Sequence, residues 1–547
     1  MQLGQRLTWQ RRLPLVVIAS WSLWHASRYD FICDDAFIAL RYARNLIEHH
    51  ELSYNLGQRV EGFTSPLWVM LTSAAGALGL QLPSAARLLG AGSALLTFVA
   101  LCRFWDELEP TAPRLVLVPA AALAMSAPFA AWTMGGLETP LFAATFTLTL
   151  ALLARDARTR TLRSSLQAGL AAALCVLCRP EGATLVFVGA VAVCLASPES
   201  AALRWRRTLV WLAPIALIVG GYQLFRLRYY GYPLPNTFYV KTSGEGLWQR
   251  GVTYLAFAAG EFGWTLVVAC ALSFLYLLLP RSLRFAERAL DSSRVLLGST
   301  AVAAGVHLLY LARVGGDFLD LYRFLTPLLP AAFCVMTCAA SRLCSRLPER
   351  ARLPGLAVAA CLLVLHGANQ HALAQRAGQV AESSRAKLHL EPLGWTRLYA
   401  RRWQGVGGWL ARVRAQGDST AVGAAGALPY YSGLPNLDLF GLNDAEIARN
   451  GRVIGNRPGH QRFATMPYLL AQKPTFIFMN PESTPSTSGR LRYDRFWTNH
   501  GYVPIEIRVD PELCGCPETF YHQFLVRRDR AATLRGRDGV VVGSALP

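Results

Sequence analysis

Apolar runs long enough to cross a bilayer recur from residue 13 to about residue 368, which marks the first two thirds of the chain as a polytopic, all-α membrane part. Candidate spans are residues 13–28, 64–82, 86–104, 115–134, 138–154, 164–178, 183–197, 208–225, 260–280, 295–312, 324–341 and 353–368. The first run follows Arg6, Arg11 and Arg12 without a small-residue cleavage site, so it reads as a first span and not as a removed signal peptide. Only 16% of the 547 residues are charged, against roughly 25% in a soluble domain.

The net charge of +20 would suggest a nucleic-acid partner in a soluble protein. Here many basic residues sit in short loops between apolar runs, at 155–163, 204–207, 281–294 and 342–352, and no nucleic acid is expected. The positive-inside rule makes those loops cytoplasmic. It puts residues 135–140, 179–182, 226–241 and 313–327 outside, together with a first outer loop at 29–63. Asp34-Asp35 and Gly135–Pro140 share a side only if an even number of crossings separates them, and three candidates do. One of them, 64–82 or 86–104, must be partial or re-entrant, which leaves about eleven full crossings. The reading is a multi-pass membrane protein with its polar clusters on the outer face.

After residue 370 the periodic apolar runs stop. Residues 419–432 and 474–480 read as buried strands and 443–450 as a helix start, separated by turns rich in Pro, Gly and Ser. The expectation is a membrane part over 1–370 followed by a small soluble α/β domain over 371–547 on the outer face. Cys514 and Cys516 are too closely spaced for a relaxed bridge, which leaves a strained disulfide or two thiols.

The chemistry-bearing residues gather in the outer loops. Asp34 and Asp35 open an amphipathic helix in which Asp34, Phe37, Ile38 and Arg41 share a face. A helix cap worth about 1 kcal/mol is the plain reading, and a general base at the membrane surface the sharper one. Arg59 and Glu61 precede the turn Phe63-Thr64-Ser65-Pro66, which has no structural need of them. Glu138 stands either as a helix N-terminal acid or as a group that positions a sugar hydroxyl. Arg179 with Glu181 is either a surface ion pair or a fork aimed at phosphate. Asn236 and Lys241 end an aromatic, proline-rich loop whose rings suit a sugar, with hydroxyls or phosphate as their own ligands, and Arg41, Arg59 and Glu61 join them as candidate substrate-binding residues. Asp317, Tyr322 and Arg323 follow a glycine turn at the mouth of the next span. The spans carry almost no charge at mid-depth, whereas a pump or secondary transporter would be expected to.

The blocks Asp34-Asp35-Ala36-Phe37-Ile38 and Arg59-Val60-Glu61-Gly62-Phe63-Thr64-Ser65-Pro66 resemble the integral-membrane glycosyltransferases of the GT-C superfamily, and within it the group of the mycobacterial terminal β-arabinofuranosyltransferase. Gly136-Leu137-Glu138-Thr139-Pro140, Arg179-Pro180-Glu181-Gly182, Pro233-Leu234-Pro235-Asn236-Thr237, Gly315-Gly316-Asp317, Tyr322-Arg323-Phe324 and Gly441-Leu442-Asn443-Asp444 look like further blocks of that group. The resemblance implies a catalytic aspartate in the first outer loop, a sugar donor on polyprenyl phosphate, a glycan or glycolipid acceptor, and inversion at the anomeric centre. On the superfamily's pattern Asp34 takes the acceptor's proton, while Arg179, Lys241 and Arg323 face the leaving phosphate. No cofactor is required by this reading. Asp34, Asp35 and Asp317 are the place for the divalent ion that some members use, with lysine and arginine as the alternative. Competing readings are a lipid-linked sugar flippase or exporter, and a non-catalytic partner in envelope assembly.

Overall fold

The computed structural model describes residues 9–195, 200–242, 244–263, 290–346, 348–378, 390–487, 491 and 494–543. Its first part is a helix bundle. Helices α1 (Trp9–Ser27), α2 (Asp34–His49), α3 (Pro66–Ala77), α4 (Leu82–Leu108), α5 (Leu117–Met125) and α6 (Ala127–Met134) come first. They are followed by α7 (Thr139–Thr159), α8 (Leu162–Cys178), α9 (Ala183–Leu195), α10 (Ala201–Pro214), α11 (Gly220–Tyr229), α12 (Asn236–Lys241) and α13 (Leu247–Phe262). Helices α14 (Leu290–Val314), α15 (Leu329–Arg346) and α16 (Glu349–Ala377) complete the bundle. Pro66, Pro83 and Pro140 sit in first turns, where a missing N–H costs nothing because that group has no intrahelical partner.

Among the described residues five helices are long and apolar enough to cross a membrane: Leu82–Leu108, Thr139–Thr159, Ala201–Tyr229, Val295–Val314 and Thr326–Ser345. Pro113–Met125 and Ala127–Met134 form a sixth if the pair, bent by 62° at Ser126, counts as one. The expected eleven crossings are thus not all met by length and apolarity, and most of the expected span 260–280 lies outside the described residues. The stretch at 64–82 is the partial one. Its 12-residue helix α3 is about 18 Å long at ~1.5 Å per residue, against ~30 Å of hydrocarbon. Ser65, just before α3, donates to Glu138 at 3.3 Å, and Gly76 near its end packs against Ile47 of α2. Asp34-Asp35 and Gly135–Pro140 meet directly where the Cys33 N–H donates to the Gly135 carbonyl at 3.1 Å.

Beyond the bundle, α17 (Leu393–Val413) lies on a six-stranded sheet. Its strands are β1 (Thr420–Val422), β2 (Asn436–Asp438), β5 (Phe476–Thr484), β6 (Tyr502–Val509), β7 (Phe520–Arg527) and β8 (Val540–Val542), in the order β2-β1-β5-β7-β6-β8. β1 pairs in parallel with β2 and β5, and the remaining pairings are antiparallel. A separate ribbon joins β3 (Arg452–Val453) to β4 (Arg462–Phe463). Alternation along the strands sends Phe478, Phe524 and Val526 to the α17 face, where Trp403 meets Phe478 and Trp409 meets Phe524. Ala421, Ile477 and Leu525 turn to the opposite face with Ile447 and Leu469.

The α/β character agrees with the sequence expectation, with one correction. Residues 419–432 do not form a single strand. β1 stops at Val422, and glycines 423 and 426 turn the chain into α18 (Ala427–Ser432). The helix expected at 443–450 is α19 (Ala445–Asn450), capped by the Asp444 carboxylate accepting from the Ile447 N–H at 2.8 Å. Cys514 and Cys516 are joined in a disulfide.

The two parts interlock through polar contacts. Buried Arg41 on α2 donates to the carbonyls of Tyr54 at 2.7 Å, Leu434 at 2.8 Å and Pro429, and to Asn55 Oδ1 at 3.2 Å. Tyr54 Oη donates to the Ala425 carbonyl at 2.6 Å, and Asn55 exchanges two hydrogen bonds with the Asn436 backbone. Asn236 on α12 donates to the carbonyls of Gly441, Leu442 and Asp444 and accepts from Arg449. Replacing Arg41 by Met leaves several buried carbonyls unpaired, at about 1–3 kcal/mol each. Arg41→Met is expected to lower the thermal unfolding midpoint and to speed proteolytic release of the C-terminal part, both measured in detergent.

Candidate active site

The site is built where α2 begins. Its first turn holds Asp34 and Asp35 at the positive end of the helix dipole, with Cys33 as N-cap. The approach to the helix is fixed by Phe31 and Cys33, which lie in an apolar cluster with Trp132 and Leu137. Gly136, at φ +82°, is needed there, since a Cβ would meet Ile32 and Ala36 at 2.8 and 2.9 Å.

Neighbouring helical residues diverge by about 100°, so the two carboxylates have different surroundings. Asp34 turns to the C-terminal part, accepting from the N–H of Ala427 at 2.8 Å and of Gly426 at 3.1 Å, where α18 starts. Burial raises its pKa to about 7, with Asp35 adding repulsion and the two N–H groups opposing the rise. Asp35 makes no hydrogen bond or ion pair among the described residues. Burial raises its pKa as well, opposed by the charges of Arg323 and Lys241 and assisted by Asp317. The Asp34 oxygens are thus engaged with backbone N–H groups, while Asp35 lies within the electrostatic reach of Arg323 and Lys241.

Those cations come from two places in the chain. Arg323 donates to Asp317 through Nε at 2.6 Å and Nη2 at 3.3 Å, and lies over the rings of Phe324 and Trp132 at 4.7 and 5.6 Å. The loop that carries it is tightly wound: Gly315, Gly316, Leu321 and Tyr322 all have positive φ. For Leu321 and Tyr322 that conformation costs of order 1–3 kcal/mol each. It is held by backbone hydrogen bonds to Glu391, by His307 against the Phe324 carbonyl at 2.7 Å, and by Arg250 donating to the Gly315 and Asp317 carbonyls. Tyr322 is buried against Tyr254 and Phe262. Lys241 is the last residue of α12. Its carbonyl accepts from Gln461 at 3.2 Å, and its ammonium makes no ion pair or hydrogen bond among the described residues. Burial and the neighbouring Arg323 and Arg179 lower its pKa.

The remaining expected residues are distributed around this centre. Arg179 lies between two acids, donating to Glu138 at 2.5 Å and to Glu181 at 2.7 and 3.2 Å, with its guanidinium 4.6 Å from the Phe324 ring. Glu61 accepts from Tyr222 at 2.6 Å and Arg226 at 2.6 and 3.2 Å, so its partner is Arg226 and not Arg59. Arg59 is exposed over the Tyr229 ring at 4.8 Å. Arg41 and Asn236 spend their hydrogen bonds on the junction described above and do not join the centre.

Two residues that sequence reasoning passed over belong here. Arg457 pairs with Glu391, lies 4.8 Å from the Phe318 ring and acts electrostatically on Asp35. Glu391 has a raised pKa, from burial first and from Asp35 and Asp317 after it. Arg457-Pro458-Gly459-His460 has the same compact polar turn as Arg179-Pro180-Glu181-Gly182, a signal that would have flagged it. Glu391 carries no local signal, lying just past the last apolar run. Among the described residues no three His, Cys, Asp or Glu side chains converge as a metal site, and Asp34 is turned away from Asp35.

Gly426 is closely seated on α2, since a Cβ there would lie 1.9 Å from the Asp34 carbonyl oxygen. Gly426→Ala is expected to destabilise the protein by about 1–3 kcal/mol, a typical overpacking cost. A thermal melt in detergent checks it, and an unchanged midpoint would show that α18 is not seated on Asp34.

Comparison with known proteins gives three findings. Residues 394–530 match a family model described as a domain of unknown function. The chain is 28% identical over 353 residues to the terminal beta-(1->2)-arabinofuranosyltransferase of Mycobacterium tuberculosis, covering 60% of this chain and 54% of that one. It is 28% identical over 363 residues to the Corynebacterium glutamicum protein of the same name, covering 59% and 49%. The chain thus spans about half the length of the curated relatives it matches. Among solved structures, ArnT from Cupriavidus metallidurans superimposes with a TM-score of 0.54 in the apo state, at 12% identity over 95% of this chain and 98% of that one. The same protein bound to undecaprenyl phosphate gives 0.51 at 14% identity, over 78% and 85%. In sequence and in fold, this chain resembles the membrane glycosyltransferases of the GT-C superfamily.

Proposed function

We propose that this chain is an inverting glycosyltransferase that moves a sugar from a polyprenyl-phosphate donor to a glycan or glycolipid of the cell envelope, on the outer face of a bacterial inner membrane. The observation that carries the reading is the pairing of an unengaged carboxylate, Asp35, with an unengaged ammonium, Lys241, around the Arg323–Asp317 pair. The acceptor hydroxyl oxygen attacks the anomeric carbon, its proton passes to the Asp35 carboxylate, and the carbon–oxygen bond to phosphate breaks with the electron pair leaving on phosphate. The leaving group gains negative charge, so it calls for cations and not for an acid. Lys241 and Arg323 supply them in a site shielded from water, where such contacts are strongest. Arg179 is held by Glu138 and Glu181 and serves to hold the wall behind Phe324. Asp34 holds the C-terminal part against α2. The named activity of the curated relatives makes an arabinofuranosyl donor the first to try, and the undecaprenyl phosphate bound to ArnT supports the lipid carrier.

Incubating the purified protein with polyprenyl-phosphate arabinofuranose and with hexose analogues tests the reading through release of polyprenyl phosphate and formation of a glycosidic bond. Asp35→Asn is expected to lower transfer about 10²–10⁴-fold while the protein still melts as the wild type does. Full activity in that variant, with Asp34→Asn inactive and folded, would return the base to Asp34. Movement of the donor across the bilayer without a new glycosidic bond would make the chain a flippase instead.

The pH dependence has a defined sign. Asp35 must be ionised to accept a proton and its pKa is raised, so activity climbs with pH from above the ordinary carboxylate value of about 3.9. Lys241 must be charged and its pKa is lowered, so activity falls on the alkaline side before the ordinary value of about 10.4. A bell-shaped rate profile is expected, and Lys241→Arg should remove its alkaline limb because arginine stays protonated.

A further inference from the structure

Away from the acids a groove of about 580 Å³ opens between the C-terminal ends of α1 and α16 and the start of α17. Trp21, Trp24, Met125 and Leu393 wall it, Arg28 and Arg397 complete it, and no carboxylate lines it. Trp21 and Trp24 are 40% and 57% exposed, a costly display of ring surface unless lipid covers it. The side chains of Arg28 and Arg397 are exposed and make no hydrogen bond or ion pair among the described residues.

Arg397 also borders a polar hollow of about 210 Å³ in which Arg87 and Arg401 hold Asp30 at 3.0 and 3.2 Å. Arg397 and Arg401 are four residues apart on α17 and share a face. Arg87 and Arg401 thus satisfy Asp30, while Arg28 and Arg397 beside the aromatic slot are left without a carboxylate partner. The apolar cluster of Phe31, Trp132, Leu373 and Leu393 stands between this groove and Arg323, so the groove is not an extension of the candidate active site.

We infer that this groove is a binding site for an anionic phospholipid, whose acyl chain lies along Trp21 and Trp24 and whose phosphate sits between Arg28 and Arg397. The occupant is a lipid and not free phosphate, because the cations border an apolar slot walled by exposed tryptophan rings. It is not the sugar donor, because the dry cluster separates it from Asp35 and Lys241. The inference stands whether or not the transferase reading does.

Titrating the purified full-length protein in detergent with brominated phosphatidylglycerol or brominated phosphatidylcholine tests this through quenching of tryptophan emission. The anionic lipid is expected to saturate at a concentration at least tenfold lower. The double variant Arg28→Gln/Arg397→Gln should bind it no better than phosphatidylcholine, while melting like the wild type because both side chains are exposed. Trp21→Phe/Trp24→Phe should lose most of the quenching and still retain phosphatidylglycerol in native mass spectrometry. Equal saturation by the two lipids, or an unchanged phosphatidylglycerol titration in the arginine variant, overturns the inference. Competition by undecaprenyl phosphate also overturns it, since the groove would then belong to the donor's path. Inorganic phosphate competing at millimolar concentration in the absence of lipid selectivity would reduce the site to an anion patch and overturn the lipid assignment.

Discussion

The structure depends on the hydrogen bonding between one helix, α2, and the C-terminal part. The Asp34 carboxylate is anchored on the N–H groups of Gly426 and Ala427, and the Arg41 guanidinium on carbonyls from residues 429 and 434. Asp34 and Arg41 lie two turns apart on one face of the helix, so the two anchors fix both its position and its rotation. Rotation matters because Asp35 is the next residue. Once Asp34 is committed to α18, the divergence between consecutive helical side chains aims Asp35 at Arg323 and Lys241.

Electrostatically the centre is a set of compensated pairs with two exceptions. Arg179 is held by Glu138 and Glu181, Arg323 by Asp317, and Arg457 by Glu391. Such pairs hold charge in a buried place by satisfying it locally, and their planar geometry fixes the loops that carry them. Asp35 and Lys241 lack contact partners, and burial shifts both towards their neutral forms. Groups kept in that condition at a membrane surface are suited to accepting a proton and meeting an anion. The C-terminal part takes a share in this, since Gln461 and Arg457 from one loop reach Lys241 and Glu391.

Much of this was legible in the chain itself. Apolar runs gave the helix bundle, and proline positions gave several helix starts. Polar turns beside glycine or proline marked Glu138, Arg179, Glu181, Asp317 and Arg323 as residues of one end of the bundle. The stretch at 64–82 holds only the short helix α3, of 12 residues. The strand expected over 419–432 was misread because apolar alternation does not register the turn at glycines 423 and 426. Arg41 and Asn236 give their hydrogen bonds to carbonyls of the chain itself, a use that looks the same in sequence as facing a substrate.

What the sequence determined by itself is therefore the class of molecule and the set of polar groups gathered at one end of it, because both follow from local periodicity and from the cost of placing charge in lipid. What only the tertiary structure decided is how those groups are used. The separation of Asp34 from Asp35, the partnership of Glu61 with Arg226, and the arrival of Arg457 and Glu391 beside Asp35 all join residues far apart in the chain. No local pattern encodes such contacts, since they arise from the packing of a sheet domain against a helix bundle and from hydrogen bonds to backbone groups that carry no side-chain signature.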